Sequence, residues 1–147
     1  MERSYVNEND AERTRLKELI SEMSDTTMAH SIGHGWTVGV TLAHLAFYDR
    51  LWLAKFEEFE RMGALGPLSG ADFNVDALNN AMLPWWQNIA PIQVKHEVVA
   101  AAEAIDSKAA SLPDWLVEAI LSKRPRTLVR AVHRREHLGE IDRALKG

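Results

Sequence analysis

VGVTLAHLAFYDRLWLAKFEEFERM, residues 38–62, decides the fold. Beyond Gly39 it holds neither Pro nor Gly. Leu42, Leu45, Trp52, Phe56 and Phe59 recur at steps of three, four and seven, while Asp49, Arg50, Lys55 and Glu57 fill much of the remaining positions. Side chains spaced this way share one face of an α-helix, whereas a half-buried strand would alternate apolar and polar residues. The spacing therefore predicts a long amphipathic helix from Val38 to Met62, whose apolar face other helices must cover.

The flanking segments supply those helices. Asn7–Met28 begins with Asn9 and Asp10, both good N-cap types, and places Leu16, Leu19, Ile20 and Met23 at helical spacing. HSIGHGWTVG, residues 30–39, interrupts the pattern with Gly33 and Gly35 and reads as a loop in which Thr37 caps the 38–62 helix. GALGPLSGADFN, residues 63–74, is a linker, after which Asn74 caps a short helix reaching Pro84, Trp85 and Trp86; Gly63–Ala90 as a whole is a long crossover. Pro91 suits the first turn of a helix with the stripe Val98, Ala102, Ile105, Ala109 and Leu112, ending before Pro113. Asp114–Lys123 is a short helix closed by Pro125. Arg126–Lys146 carries Val129, His133, His137, Ile141 and Leu145 in one row. No strand pattern or repeat competes. The fold class is all-α: a four-helix bundle with a long crossover between its second and third principal helices, plus short extra helices.

Composition narrows the function. At 147 residues, 46% hydrophobic, the chain suits one domain spanning 1–147 with a core of its own. It has no cysteine, so neither a disulfide framework nor a thiolate metal site is available, and site chemistry falls to His, carboxylates and hydroxyls. A net charge of −4 argues against nucleic acid as a general partner. No run approaches the roughly 18 apolar residues of a membrane span, and the polar start MERSYVNENDAER is no signal peptide, so a cytoplasmic location is expected and a membrane partner is not.

Histidines stand out. His133 and His137, four apart on a helix, direct two imidazoles to one point, as a metal clamp does, although two stacked core histidines would give the same spacing. His44 lies among Leu42, Ala43, Leu45, Ala46 and Phe47, where an imidazole without a partner would cost a few kcal/mol. A shared metal would satisfy all three; a carbonyl or carboxylate partner for each is the equally available reading.

Gly35-Trp36-Thr37 through His44-Leu45, and His133-Arg-Arg-Glu-His137-Leu-Gly-Glu-Ile141, resemble in order and placement the motifs of the DinB-like superfamily, which takes in YfiT-like and maleylpyruvate-isomerase-N-terminal-like domains. The resemblance runs over essentially the whole chain. It implies a four-helix bundle, often a homodimer, with a divalent metal on one histidine of the second helix and two of the last, places filled here by His44, His133 and His137. Glu140 departs from the Gln common at its position. Three residues after His137, it can be a fourth ligand or an acceptor orienting an imidazole, although a solvated or capping carboxylate is the plainer reading.

Three imidazoles leave a coordination position open, as catalytic sites do and structural zinc sites do not. Zinc or nickel suits such ligands best, with iron and copper also compatible. Two chemistries are then open for a small-molecule substrate: hydrolysis by an activated water, or transfer of a low-molecular-weight thiol taken as cosubstrate. A non-catalytic stress-response or sequestering bundle is the alternative. Tyr48, one turn beyond His44, is a candidate hydrogen-bond donor to substrate, and Arg130 a candidate partner for a substrate carboxylate, with Arg126 one turn before it. The rest of the basic run, Lys123, Arg124, Arg126, Arg134 and Arg135, reads as a solvated face. His34, in the Gly-rich loop and near enough in principle to reach the site mouth, is read as a solvated loop residue, His30 and His96 as surface residues. The tryptophans 36, 52, 85, 86 and 115 read as core, with a pocket wall as the other possibility.

Overall fold

The computed structural model describes residues 1–68 and 74–147; part of the 63–74 linker lies outside them. Its elements are α1 (Tyr5–Ser21), α2 (Asp25–Met28), β1 (Ser31–Gly33), β2 (Trp36–Thr37), α3 (Val38–Met62), α4 (Val75–Gln87), α5 (Pro91–Ser111), α6 (Asp114–Lys123), a 3₁₀ turn (Pro125–Thr127) and α7 (Arg130–Lys146). Helix α1 packs on α5 and α7, and α3 packs on the same two, so the four long helices close into a bundle with α4 laid against α3. None of the described helices is long and apolar enough to cross a membrane.

Local chemistry explains the boundaries of α3. The Thr37 hydroxyl accepts the Val40 N–H at its start, and Gly63 at φ 66° provides the left-handed residue that ends it. Asn74 caps α4 through the N–H groups of Asp76 and Ala77, and Pro91 opens α5.

The predicted first helix is interrupted. It stops at Ser21, and Ser24 caps the separate turn α2 by accepting the Thr27 N–H. Asn9 is no N-cap of its own helix; buried in α1, it accepts the Ala131 N–H and donates to the Leu128 carbonyl. It thus caps α7 from a neighbouring helix, which is why α7 begins at Arg130 and not at Arg126. The 30–39 loop is a small antiparallel hairpin, contrary to the expected lack of strands. Gly33, His34 and Gly35 turn it with φ of 100°, 42° and 83°, values that two glycines make accessible.

Candidate metal centre

The site lies where α3 and α7 face one another. Its floor is packed by the core half that contains Leu42, Ala43, Leu45, Ala46, Trp86 and Leu138. His44 comes from α3, and His133 and His137 from successive turns of α7, which start at a position fixed by Asn9. Ring centroids are 5.0 Å apart for His44–His133 and 4.7 Å for each of the other two pairs. The Nε2 atoms of His44 and His133 approach to 3.1 Å, and one nitrogen from each of the three residues lies within 4.8 Å of the others. A tetrahedral zinc ion with bonds of about 2.1 Å holds its nitrogens roughly 3.4 Å apart, so the three residues fit an ion after modest ring rotation.

Their electrostatics suit the same role. Burial pushes the pKa of His44 down to about 3, with His137 adding to the effect and Asn79 opposing it. Burial also holds His133 well below the usual histidine value, helped by Arg130 and its sister histidines. For His137 burial again lowers the pKa, and Glu140 and Glu136 offset part of it. All three are therefore neutral at pH 7, the form that ligates. Nδ1 of His44 and Nδ1 of His137 are buried without a hydrogen-bond partner. The latter lies 3.1 Å from Glu140 Oε1, an ion-pair distance without hydrogen-bond alignment. A small rotation of that carboxylate would make it the acceptor that fixes the ring's orientation. Three histidines close together, neutral and short of partners, could bind a metal ion.

A cavity of about 410 Å³ opens onto the cluster, within the range of small-molecule sites. Its wall includes the candidates Tyr48, Arg130 and Glu140. The Tyr48 hydroxyl donates to Asn79 Oδ1 at 2.7 Å. Arg130 is buried and donates from Nε to Asp49 Oδ1 at 3.1 Å. Trp36 and Trp52 line the cavity and Trp86 packs on His44 from behind, whereas Trp85 and Trp115 are exposed elsewhere.

Sequence reasoning missed several members. His34 is exposed as read, and it also reaches the cavity, with Nε2 3.9 Å from Glu140, because the hairpin packs β1 against α7. Asn79 and Thr127 also line it, and neither carried a spacing signal. Arg134, read as part of a solvated face, is 1% exposed. It donates to both oxygens of Asp106 at 2.8 Å and to Asp49 Oδ2 at 3.3 Å. Burial works against its charge, but the two carboxylates outweigh burial and raise its pKa. Asp49, placed on the polar face of α3, is buried for the same reason. Leu145, at the end of the α7 row, is exposed. His30 and His96 are exposed as read.

No curated protein and no solved structure matches the chain. The sequence does match the family model described as DinB family over residues 1–138, a span that holds all three histidines. With most of its length so matched and the histidine cluster in place, the chain belongs to the DinB family.

Proposed function

We propose that this DinB protein binds one divalent metal ion through His44, His133 and His137 and acts on a small molecule, as a hydrolase or as a transferase using a low-molecular-weight thiol. The observation that carries the reading is the convergence of three neutral imidazoles from two helices on the wall of a cavity of about 410 Å³. Zinc or nickel fits imidazole ligands, with iron also compatible. When bound, the ion would lower the pKa of a water or thiol in its open position and polarise the substrate.

The chain's own residues supply the rest. Glu140, 3.1 Å from His137 Nδ1, would after a small rotation accept from that nitrogen and leave the other free to hold the ion. Trp36, Leu51 and Trp52 form an apolar wall that limits water around a substrate. Tyr48, with its proton directed to Asn79, offers its oxygen lone pairs to the cavity side. Elemental analysis of tag-free protein beside the His44→Ala/His137→Ala variant tests the reading, with circular dichroism to verify both folds. About one metal per chain, lost in the folded variant, supports it; no metal after reconstitution would sink the enzyme and leave a binding module.

A homodimer belongs to the same proposal. Its support is an apolar groove lined by Phe47, Met82, Trp85 and Ile89, in which Trp85 is 73% exposed. Sedimentation of the wild type against Trp85→Ser decides it.

A further inference from the structure

The cavity has a second kind of wall beside the histidines. Arg130 is 5% exposed and lines the cavity, with its Nε committed to Asp49. Neither of its terminal nitrogens has a hydrogen-bond partner among the described residues. Asp49 cannot serve them fully, because its other oxygen faces Arg134 at 3.3 Å. Thr127, in the 3₁₀ turn before α7, is 2% exposed on the same wall, and its hydroxyl is buried without a partner. A buried hydroxyl left unpaired, as Thr127's is, costs free energy unless a ligand supplies a partner. Arg126 and Arg124 stand nearby, Arg126 only loosely held by Glu136 at 3.6 Å. The charged lining is thus three guanidinium groups, Arg124, Arg126 and Arg130, against two carboxylates, Glu136 and Glu140, a surplus of one positive charge. Trp36, Tyr48, Leu51 and Trp52 line the same cavity.

We propose that the cavity recognises a small carboxylate with an apolar body, its carboxylate held by Arg130 and Thr127 and its body laid on the aromatic wall. A planar carboxylate matches the paired donors of a guanidinium, and a buried, already positioned arginine loses little freedom in binding it. The placement of the ligand's other end beside His44, His133 and His137 rests on the metal reading above; the carboxylate subsite does not.

The test is calorimetric titration of metal-free and zinc-loaded protein with benzoate, its neutral counterpart benzamide, and inorganic phosphate. Benzoate is expected to bind both forms, and benzamide at least ten-fold more weakly. Thr127→Val should weaken benzoate three- to ten-fold with zinc content unchanged and no fall in melting temperature, because the hydroxyl removed has no partner. Arg130→Lys should weaken it ten-fold or more; if that variant does not fold, Thr127→Val and Arg126→Gln carry the test, the latter with a loss of two- to three-fold. Equal binding of benzamide would overturn the proposal. So would tighter binding of phosphate, or benzoate binding that needs zinc and ignores Thr127→Val, which would make the anion a ligand of the metal. Benzoate binding sensitive to Thr127 in a protein that takes up no zinc would leave the subsite standing and remove the metal reading.

Discussion

Two polar clusters sit side by side on the same pair of helices. One is charged: Asp49 of α3, Arg130 and Arg134 of α7, with Asp106 of α5 and Arg13 of α1. The other is neutral: His44 of α3 with His133 and His137 of α7. In the charged cluster the carboxylates face guanidinium groups on several sides, and Arg134 leaves only Nε without a partner. In the neutral cluster the only hydrogen bond between rings is one Nε2–Nε2 contact, and two Nδ1 atoms have none. Buried polar groups persist when they are satisfied. A cluster that satisfies itself holds the bundle together; one that cannot is open to a partner from outside. Arg130 belongs partly to each, tied to Asp49 at one end and open to the cavity at the other.

The contrast makes predictions of decreasing size. Asp49→Ala should cost about 3–5 kcal/mol in denaturant unfolding, since it strands the buried Arg130 guanidinium and leaves Arg134 with Asp106 alone; a loss under 1 kcal/mol would show that the charged cluster is not what holds α3 to α7. Zinc at about 100 times its dissociation constant should stabilise the wild type by roughly 2.7 kcal/mol and leave His44→Ala/His137→Ala unmoved in a thermal melt.

Acid should weaken the metal-free protein. With the folded pKa values of the three histidines depressed, the unfolded chain takes up protons first, so stability is complete above about pH 6.5 and falls as pH drops toward the folded values. For His44, held down to about 3, the loss by pH 4.5 is at most on the order of 3 kcal/mol. A His44→Leu variant should flatten that part of the profile. Smallest of all, His137→Leu should change metal-free stability by no more than about 1 kcal/mol, because no internal hydrogen bond is lost. A much larger loss would mean that the ring has a structural partner.

Much of this was legible in the chain. The 38–62 helix emerged with its predicted bounds, since its period, its cap Thr37 and its stop Gly63 are all local signals. So were the start of α5 at Pro91 and the span of α6. The pairing of His133 with His137 needs nothing beyond the pitch of a helix. Charge misled where period did not. Arg134 and Asp49 read as surface residues because isolated charges seldom enter a core, and their burial depends on partners from other helices that no spacing reveals.

Sequence alone thus determined most of the helix spans, the lack of a cysteine thiol in the chain and the placing of His133 and His137 on one helix face, because each depends only on the chain itself. Only the tertiary structure decided that α1 lends Asn9 to cap α7, that the hairpin carries His34 to the cavity, and that the charged cluster closes while the histidine cluster stays open. Each of these depends on groups distant in sequence meeting in a buried space, where the cost of an unmet hydrogen bond selects the partner.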